Sequence, residues 1–519
     1  MAALSSSAGC TKTGGTNTGG TSALAVATGK TKSAPRDGIA KKGIEAAAVK
    51  EENAQDAAEQ IAAATKPAPP QRVFRTSLEM PHYDDARLVE LGIRRYESTH
   101  LLLYTDIDPN LARPLPKLMD QAYVAWEDYF GPLPPDRDGK DFQMVGFIMA
   151  DREAFVAAGL ISPDARILLE GVYRNQFFWM NEQPTDYYRR HLMIHEGTHC
   201  FMSALPNPTN RFQWYMEGMA ELFRTHQTDK EGRTQFRMFP HDRETFAGLG
   251  WIKLIDEDKR ATGLRLPDAV VGQSPNDFRK YNAYAWSWAL CALLDGHPRY
   301  HDRFRNIGSL VTSRNNAEFE LRQVFKNDWP ELTEEWLVFT GNICYGYDIE
   351  RTTLDMRQGT PLTRRVVGKE PGGGKEPGVG KEPGVAELEV VADRGWQSSG
   401  ILVEPGKAYQ ITADGRCVLA QEPKPWVSEA QGISIRYHGG RPLGMLVAAI
   451  RSTELAQQEP PTSTMLTVLP IGREAQIKPK IAGTLYFRVN DYWNELADNT
   501  GKLHVTVQET VQQSSRESK

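Results

Sequence analysis

The sequence predicts an α+β domain followed by an all-β sandwich, with a disordered tail in front of both. Three observations lead to this fold class. Apolar strand-like runs alternate with amphipathic helical runs across residues 95–345. The sequence Gly-Lys-Glu-Pro-Gly occurs three times within residues 368–384, and a segment of that composition is expected to be an extended spacer. Residues 386–510 consist of short β-rich runs separated by Gly, Pro and Asp, the spacing typical of a sandwich.

Length and composition limit the classes of function. A chain of 519 residues can hold two or three domains. Its net charge of −5 lacks the basic footprint of a nucleic-acid-binding protein. No run of 18 apolar residues occurs, so no transmembrane helix is expected. The five cysteines form neither a zinc-ribbon pattern nor a disulfide framework, and they are Cys10, Cys200, Cys291, Cys344 and Cys417.

The N-terminal tail, residues 1–71, is rich in Gly, Ala, Ser, Thr and Lys, so we expect it to be disordered. Within it, Ser7-Ala8-Gly9-Cys10 and the Gly- and Thr-rich run that follows resemble the cleavage box and tether of a bacterial lipoprotein. If the true start lies upstream, this resemblance implies a lipidated Cys10. The protein would then be extracytoplasmic, either lipid-anchored or secreted across a bacterial membrane. The alternative is a low-complexity tail that contains a cysteine by chance.

The first globular segment, residues 72–360, contains five predicted elements ahead of its central motif. In chain order these are strand Ser98–Thr105, helix Leu115–Phe130, strand Phe142–Met149, helix Arg152–Ala158 and strand Gly171–Met180. The first helix has an amphipathic pattern and is followed by Gly131, a common residue after a helix end. The last strand leads directly into the run that contains the motif.

The central motif is His195-Glu196-Gly197-Thr198-His199, a His-Glu-x-x-His pattern on a predicted helix. Residues four apart lie on one face of a helix, so His195 and His199 can bind the same metal ion. Glu196 lies one residue further round, where it can reach a water on that metal. The alternative interpretation is a buried helix with two hydrogen-bonded histidines.

A catalytic zinc site needs a third protein ligand, and a second predicted helix supplies a candidate. Trp214–Phe223 contains Glu217 and Glu221, which are four residues apart. In this arrangement Glu217 would bind zinc, and Glu221 would accept a hydrogen bond from the back of a ligand histidine.

The two motifs together, His-Glu-x-x-His and then Glu217-Gly-Met-Ala-Glu221, resemble the gluzincin metallopeptidases, in particular the peptidase-MA-like proteins. The resemblance covers about residues 95–345 and implies a zincin fold. It implies zinc bound by His195, His199 and Glu217, with Glu196 as the general base. The strand and helix order ahead of the motif is the order expected of a zincin's N-terminal sheet. The Gly-x-Met-Glu-Asn segment of aminopeptidases is missing, so the resemblance does not extend to aminopeptidase specificity.

A further candidate catalytic residue is Tyr284, in the run Tyr284-Ala-Trp-Ser-Trp-Ala-Leu. This run resembles the aminopeptidase pattern Tyr-x-x-Gly-x-Ala-Leu, whose tyrosine stabilises the oxyanion, although Ser287 stands in place of the glycine. Tyr281 is a near alternative for the same role. Another alternative is that these aromatic residues form one face of a core helix.

The repeat segment, residues 361–385, is predicted to be a linker, and residues 386–510 are predicted to form the sandwich, followed by a polar tail at 511–519. Predicted strands are Leu388–Ala392, Tyr409–Ala413, Gly432–Arg436, Gly444–Ile450, Gly483–Val489 and Lys502–Gln508. One loop between the last two strands concentrates four oxygen-bearing side chains: Asp491, Glu495, Asp498 and Asn499. Oxygen ligands crowded on one loop suit calcium.

The segment Asn490-Asp491, followed by Asp498-Asn499-Thr500-Gly501, resembles the final hairpin of the PA-IL type of calcium-dependent galactophilic lectin. The resemblance implies a calcium ion bound by Asp491, Asp498 and Asn499, with sugar hydroxyls completing its shell. In the family a threonine lies at the position of Glu495, so metal binding is favoured over galactose binding. The alternative is that this loop only turns the chain.

Taken together, the patterns predict a zinc-dependent peptide-bond hydrolase with an accessory carbohydrate- or surface-binding domain. Its expected partners are a protein or peptide substrate and glycans, and its expected cofactors are zinc and calcium. One alternative is a non-enzymatic lectin-like binding protein that carries an inactive zincin scaffold. Another alternative keeps the zinc but hydrolyses a different bond, because His-Glu-x-x-His determines the metal chemistry and not the acyl group.

Overall fold

A computed structural model describes residues 74–75, 80, 82–165, 171–205, 212–244, 250–307, 321–362, 365–366, 381–382, 384–452 and 462–510. These residues belong to one compact unit, Val73–Lys519. The structure is mixed α/β with several sheets. The predicted tail 1–71 with Cys10, and the polar tail 511–519, lie outside the described residues.

The N-terminal part contains a five-stranded sheet and four helices. Its strands are β1 (Arg94–Glu97), β2 (Leu101–Thr105), β3 (Met144–Met149), β4 (Gly171–Arg174) and β5 (Phe177–Asn181). Its helices are α1 (Asp85–Glu90), α2 (Pro109–Ala112), α3 (Leu115–Phe130) and α4 (Arg152–Ala157). The strand order is β1-β2-β3-β5-β4, so β4 lies at one edge. Strands β2, β3 and β5 are parallel, whereas β1 and β4 are antiparallel to their neighbours.

The predicted single strand Gly171–Met180 is wrong, because this segment forms the hairpin β4–β5. Its register places Arg174 opposite Phe177, so Asn175 and Gln176 make the turn. Asn175 has φ of 56°, a left-handed conformation that asparagine tolerates better than most residues. The polar residues Arg174-Asn175-Gln176 interrupt the apolar run at this turn, which joins a half-exposed edge strand to an inner one.

The helical region, residues 186–342, follows the sheet. Its helices are α5 (Asp186–Ala204), α6 (Gln213–Arg224), α7 (Trp251–Thr262), α8 (Pro267–Val271), α9 (Tyr281–Gly296), α10 (His301–Arg305), α11 (Leu321–Val324) and α12 (Trp329–Asn342). Strands β6 (His226–Thr228) and β7 (Thr234–Phe236) form a hairpin after α6, and a short 3₁₀ helix covers Asp277–Arg279. Across the described parts of the chain, no helix combines the length and apolarity needed to cross a bilayer.

The C-terminal region, residues 385–510, contains two mainly antiparallel sheets. Its strands, with three short ones just before it, are β8 (Thr360–Pro361), β9 (Arg365–Val366), β10 (Lys381–Glu382), β11 (Val385–Val391), β12 (Gln397–Val403), β13 (Ala408–Val418), β14 (Val427–Ser428), β15 (Gln431–His438), β16 (Arg441–Ser452), β17 (Leu469–Pro470), β18 (Glu474–Ile477), β19 (Gly483–Val489) and β20 (Thr500–Thr510). One sheet has the order β11-β20-β13-β14, with β18 also on β13. The other has the order β15-β16-β19-β12-β8, with β17 also on β16. Both sheets contribute side chains to one hydrophobic core.

Within this second sheet, the neighbouring strands β16 and β19 are buried on both faces. Along β16, Leu446 and Ala448 join the core between the two sheets, whereas Val447 and Ala449 join the core of the helical region. All seven residues of β19 are buried, and Tyr486 belongs to the helical-region core. A strand covered on both faces is apolar throughout instead of alternating, which explains the run Gly-Thr-Leu-Tyr-Phe in β19.

The loop after β19 also enters the helical-region core. Trp493 is 6% exposed and stacks on Tyr347 with ring centroids 5.9 Å apart. The buried guanidinium of Arg488 lies 3.7 Å from the centroid of the Trp493 ring, close enough for a cation–π interaction. The C-terminal region is therefore packed against the helical region through aromatic side chains.

Strands β9 and β10 place the two ends of the predicted linker side by side. Lys381 pairs with Val366 and Glu382 with Arg365 in an antiparallel arrangement. Most of the Gly-Lys-Glu-Pro-Gly repeat lies outside the described residues. The predicted domain boundaries at 361–385 stay a prediction.

We expect Trp493→Ala to lower the free energy of unfolding by about 3–5 kcal/mol, because truncating a buried tryptophan leaves a cavity. The exposed Ile435, whose side chain is 68% accessible, provides the control, and Ile435→Ala should change stability by less than about 0.5 kcal/mol. Urea unfolding followed by circular dichroism and by fluorescence measures both. The shared core predicts one coincident transition, and two separate transitions would contradict it.

Candidate metal centre

Helix α5 positions the His-Glu-x-x-His motif, and its start is determined by local polar contacts. The Thr185 side chain caps the helix by accepting a hydrogen bond from the Tyr188 N–H at 3.2 Å. Asp186 lies in the first turn, where a negative charge is favourable. Arg189 pairs with Asp186 and also with Glu182 outside the helix. From His191 to Met202 every residue of the helix is buried, so the motif lies inside the protein.

Helix α6 carries Glu217 and Glu221 and packs closely against α9. A Cβ atom on Gly218 would lie 2.7 Å from the Ser287 carbonyl oxygen and 2.5 Å from the Cys291 sulfur. Only glycine fits this contact without moving one of the helices, which gives a physical reason for the Glu-Gly pair in the second motif. The same contact places α6 between α5 and α9.

The structure brings His195, His199 and Glu217 together. His195 Nε2 and His199 Nε2 are 3.1 Å apart, and Glu217 Oε2 lies 3.4 Å from the first and 3.2 Å from the second. All three side chains are buried. In the described part of the chain, this is the one group of three His, Cys, Asp or Glu ligand atoms within 4.8 Å of one another. A buried triad of this kind can bind a metal ion.

The three distances fit a small tetrahedral ion. Ligand atoms about 2.0–2.1 Å from a tetrahedral centre are separated from each other by about 3.3 Å. The observed separations of 3.1–3.4 Å match that edge length. Two imidazole nitrogens and one carboxylate oxygen also form a ligand set of the kind that catalytic zinc uses, with the fourth position left for water or substrate.

Glu221 lies behind His195, as the spacing on α6 predicts. Its Oε1 is 3.1 Å from His195 Nδ1, and the residue is fully buried. Burial alone would lower the pKa of His195, but contacts with Glu217 and Glu221 outweigh burial and raise it to about 9. Glu221 also accepts hydrogen bonds from Trp251 Nε1 at 2.7 Å and from Arg224 Nη1 at 2.8 Å. This carboxylate therefore fixes the orientation of the His195 imidazole.

Glu217 is held by a partner that sequence reasoning missed. Gln213 Nε2, one turn earlier on α6, donates to Glu217 Oε1 at 2.7 Å. The other oxygen, Oε2, is left for the two histidines. Burial acts to raise the pKa of Glu217, but His199 and His195 lower it well below its usual range. The sequence feature that could have indicated this contact is the spacing of four residues between Gln213 and Glu217, which places both on one face of a helix.

Glu196 lies beside the triad and borders a small cavity of about 40 Å³, which can hold a water molecule or two. The edge strand β4 approaches it so closely that a Cβ atom on Gly171 would lie 2.3 Å from Glu196 Oε1. Glu196 is buried, and burial raises its pKa. A raised pKa is the direction that suits a carboxylate acting as a general base near neutral pH.

Tyr284 and Tyr281 both lie on the cavity wall with Glu196. The ring of Tyr284 is 6.3 Å from the ring of His195, whereas Tyr281 is more exposed and lies beside Trp251. Burial, followed by the charges of Glu217, Glu221 and Glu196, raises the pKa of Tyr284, so its hydroxyl stays a donor. The role of Tyr284 as an oxyanion donor remains a prediction.

Arg224, the last residue of α6, was also missed. It lines the same cavity, is 5% exposed and pairs with Glu221. Its carbonyl oxygen accepts hydrogen bonds from Nδ1 of His191 at 3.0 Å and of His226 at 2.8 Å, which cap the end of α6. Burial lowers the pKa of both histidines, to about 4 for His226, so each is a neutral donor.

The predicted calcium ligands are brought together in part. Asn499 Nδ2 donates to Asp491 Oδ2 at 2.9 Å, and both residues are buried. Asn499 Oδ1 is buried without a hydrogen-bond partner among the described residues. Asp498 is exposed on the same loop, and both carboxylate oxygens of Glu495 are occupied by Arg436, at 2.6 and 2.9 Å.

No protein-family model and no curated protein sequence matches this chain. Similar solved structures include the N-terminal domain of EclA, described as a PllA-like lectin. It is 20% identical, covers 24% of this chain and 95% of its own, and has a TM-score of 0.18.

IMPa from Pseudomonas aeruginosa in complex with an O-glycopeptide is also similar, at 12% identity with a TM-score of 0.15. The match covers 57% of this chain and 27% of IMPa. The IMPa metallopeptidase in complex with T-antigen is 11% identical with a TM-score of 0.15, over 79% of this chain and 47% of IMPa. This chain thus spans less than half of the IMPa chains. The similarities are distant, and the site geometry alone carries the functional argument.

We expect Gln213→Leu to weaken zinc binding about 10–100-fold, because the non-ligating oxygen of Glu217 loses its donor. Gln227 on β6 is exposed, so Gln227→Leu is the matched control and should leave the affinity unchanged. Competition with a chromophoric zinc chelator measures both variants. An unchanged affinity of Gln213→Leu would show that the carboxylate of Glu217 is positioned without this hydrogen bond.

Proposed function

We propose that this protein is a zinc-dependent hydrolase that cleaves peptide bonds. One observation carries the proposal: Nε2 of His195, Nε2 of His199 and Oε2 of Glu217 converge within 3.1–3.4 Å, next to the buried carboxylate of Glu196. Three ligands with a neighbouring carboxylate form the arrangement that metal-assisted hydrolysis requires.

Zinc bound to this triad would supply Lewis-acid polarisation of a carbonyl group and would acidify a water molecule. Glu196 takes a proton from the attacking water and passes it to the leaving amine. Tyr284, which keeps its proton, donates a hydrogen bond toward the developing oxyanion. Glu221 and Gln213 hold His195 and Glu217 in place.

The sheet edge beside the site supports a peptide substrate. Among the described residues β4 is the last strand of its sheet, so one row of its backbone N–H and C=O groups has no partner strand there. Gly171, its first residue, lies against Glu196. An extended peptide can pair with such an edge through main-chain hydrogen bonds, which would place its backbone next to the general base.

We assign the sheet and helices up to residue 360 to a zincin-like catalytic part and residues 386–510 to a lectin-like sandwich. The order of strands and helices ahead of α5 and the shared core between two antiparallel sheets support these assignments. An extracytoplasmic location, with Cys10 lipidated, stays a prediction from the sequence.

We expect Glu196→Gln to abolish hydrolysis of a casein substrate, with a loss of at least about 100-fold, while zinc content stays at one ion per chain. Glu153 on α4 is exposed, and Glu153→Gln should behave as the parent protein does. Zinc content by mass spectrometry and the release of fluorescent peptides measure the two properties. Full activity in Glu196→Gln would exclude this residue as the base.

The same measurements separate the alternatives. A parent protein that binds no zinc and cleaves nothing would support a non-enzymatic binding protein. A parent that binds zinc but leaves peptides intact would support hydrolysis of a different bond.

A second candidate function is calcium-dependent binding of glycans by the C-terminal region. The observation that favours it is Asn499, whose Nδ2 donates to the Asp491 carboxylate and whose buried Oδ1 has no hydrogen-bond partner among the described residues. Buried oxygens without donors are suited to a hard cation. Exposed Asp498 lies on the same loop and would complete the protein ligands.

We expect calcium to raise the melting temperature by a few degrees at pH 8 and to have no effect at pH 5. Burial raises the pKa of Asp491 to about 6, so this carboxyl is protonated at pH 5 and ionised at pH 8. Without calcium, a raised carboxyl pKa contributes stability at low pH that is lost as pH rises through about 6. Bound calcium reverses that loss at pH 8 by mass action.

Differential scanning fluorimetry at both pH values measures the calcium effect. Asp491→Asn should remove it, whereas Asp414→Asn, at an exposed position of β13, should retain it. A calcium shift of equal size at pH 5 and pH 8 would show that another group binds the ion.

A further inference from the structure

We propose that Arg224 is a specificity-determining residue that binds a carboxylate group of the substrate in the cavity beside Glu196. This inference rests on the proposed peptidase function and names a feature of its substrate. The carboxylate could be the C-terminus of the peptide or an acidic side chain, and the experiment below distinguishes these sources.

The guanidinium of Arg224 lies beside two aromatic rings. It lies 5.3 Å from the ring centroid of Trp251 and 5.9 Å from that of Tyr188. Both aromatic residues line the cavity with Arg224 and Glu196. These two contacts and the hydrogen bond to Glu221 limit the movement of the guanidinium, so its donors are oriented before a ligand arrives.

One edge of this guanidinium is unused. Nη1 donates to Glu221 Oε1 at 2.8 Å. Nε is buried without a hydrogen-bond partner, and Nη2 has no acceptor among the described residues. The N–H groups of Nε and Nη2 lie side by side along one edge of the planar guanidinium. Together they can donate two parallel hydrogen bonds to a carboxylate. A buried donor without a partner is costly, so a ligand that supplies two oxygens would relieve this cost.

The charge of Arg224 is only partly balanced by its neighbours. Its carboxylate partner, Glu221, also accepts from Trp251 and faces His195. After burial, the charge of Arg224 is the largest influence that lowers the pKa of the buried His191. On the side of the cavity that Arg224 lines, this positive charge favours an anionic group over a neutral one, whereas the carboxylates of Glu217, Glu221 and Glu196 dominate at Tyr284.

The experiment uses Glu196→Gln protein loaded with zinc, so that binding is measured without turnover. Four acetylated pentapeptides are titrated by calorimetry: a parent with one internal Asp and a free C-terminus, its C-terminal amide, its Asp-to-Asn form, and the form with both changes. We expect one of the two neutralisations to weaken binding about tenfold or more. The change that does so identifies the source of the carboxylate.

Two further variants in the same background test the assignment to Arg224. Arg224→Lys retains a charge near Glu221 but lacks the two-donor edge, so the ratio between acid and neutral peptides should fall toward one. Trp251→Phe keeps an aromatic ring beside the guanidinium and removes one of the three donors to Glu221, so that ratio should stay high even if zinc binds more weakly.

Equal binding of all four peptides would overturn the inference, and so would an unchanged acid-to-neutral ratio in Arg224→Lys. Neither result depends on hydrolysis. Failure of the proposed function is a separate observation, namely a zinc-loaded parent protein that cleaves none of the peptides.

Discussion

The carboxylate of Glu221 is the interaction on which the site depends. It is fully buried, and it meets three donors from three directions: His195 on α5, Arg224 on its own helix and Trp251 on α7. A buried carboxylate is stable only when its oxygens are well supplied with donors. Because all three donors contact Glu221, this carboxylate holds the imidazole of His195, the guanidinium of Arg224 and the indole of Trp251 in fixed positions relative to one another. Within the His195, His199 and Glu217 triad, this shared contact holds the His195 imidazole in place.

Close approach of the backbone supplies the second constraint. Gly218 lets α6 lie against α9, and Gly171 lets the edge strand lie against Glu196. In both places a side chain would displace a group that the site needs. The tight packing leaves a cavity of about 40 Å³, so water near Glu196 is confined to a few positions. Confinement of this kind strengthens each electrostatic contact within the site.

Much of the site was predictable from the sequence because it follows helical spacing. His195, Glu196 and His199 share one helix, and the separation of Glu217 and Glu221 indicated another. Gln213 and Arg224 lie on the same stripe of α6, four residues before and seven after Glu217. They were missed because Gln and Arg at helix ends are usually solvated. The contact of Gly171 could not be predicted, since it joins segments whose approach depends on tertiary packing.

The C-terminal region shows what a strand pattern can reveal about tertiary structure. An accessory sheet with one face in water would alternate polar and apolar residues, but β19 is buried at all seven positions. Its Leu485 faces the core between the sheets, whereas Tyr486 faces the helical region and donates to the Asp355 carbonyl oxygen. Because the two regions share buried side chains, a change of order in the loop that carries Asp491 and Trp493 reaches the helical core directly. The conformation of that loop is thus coupled to the packing of the helical region.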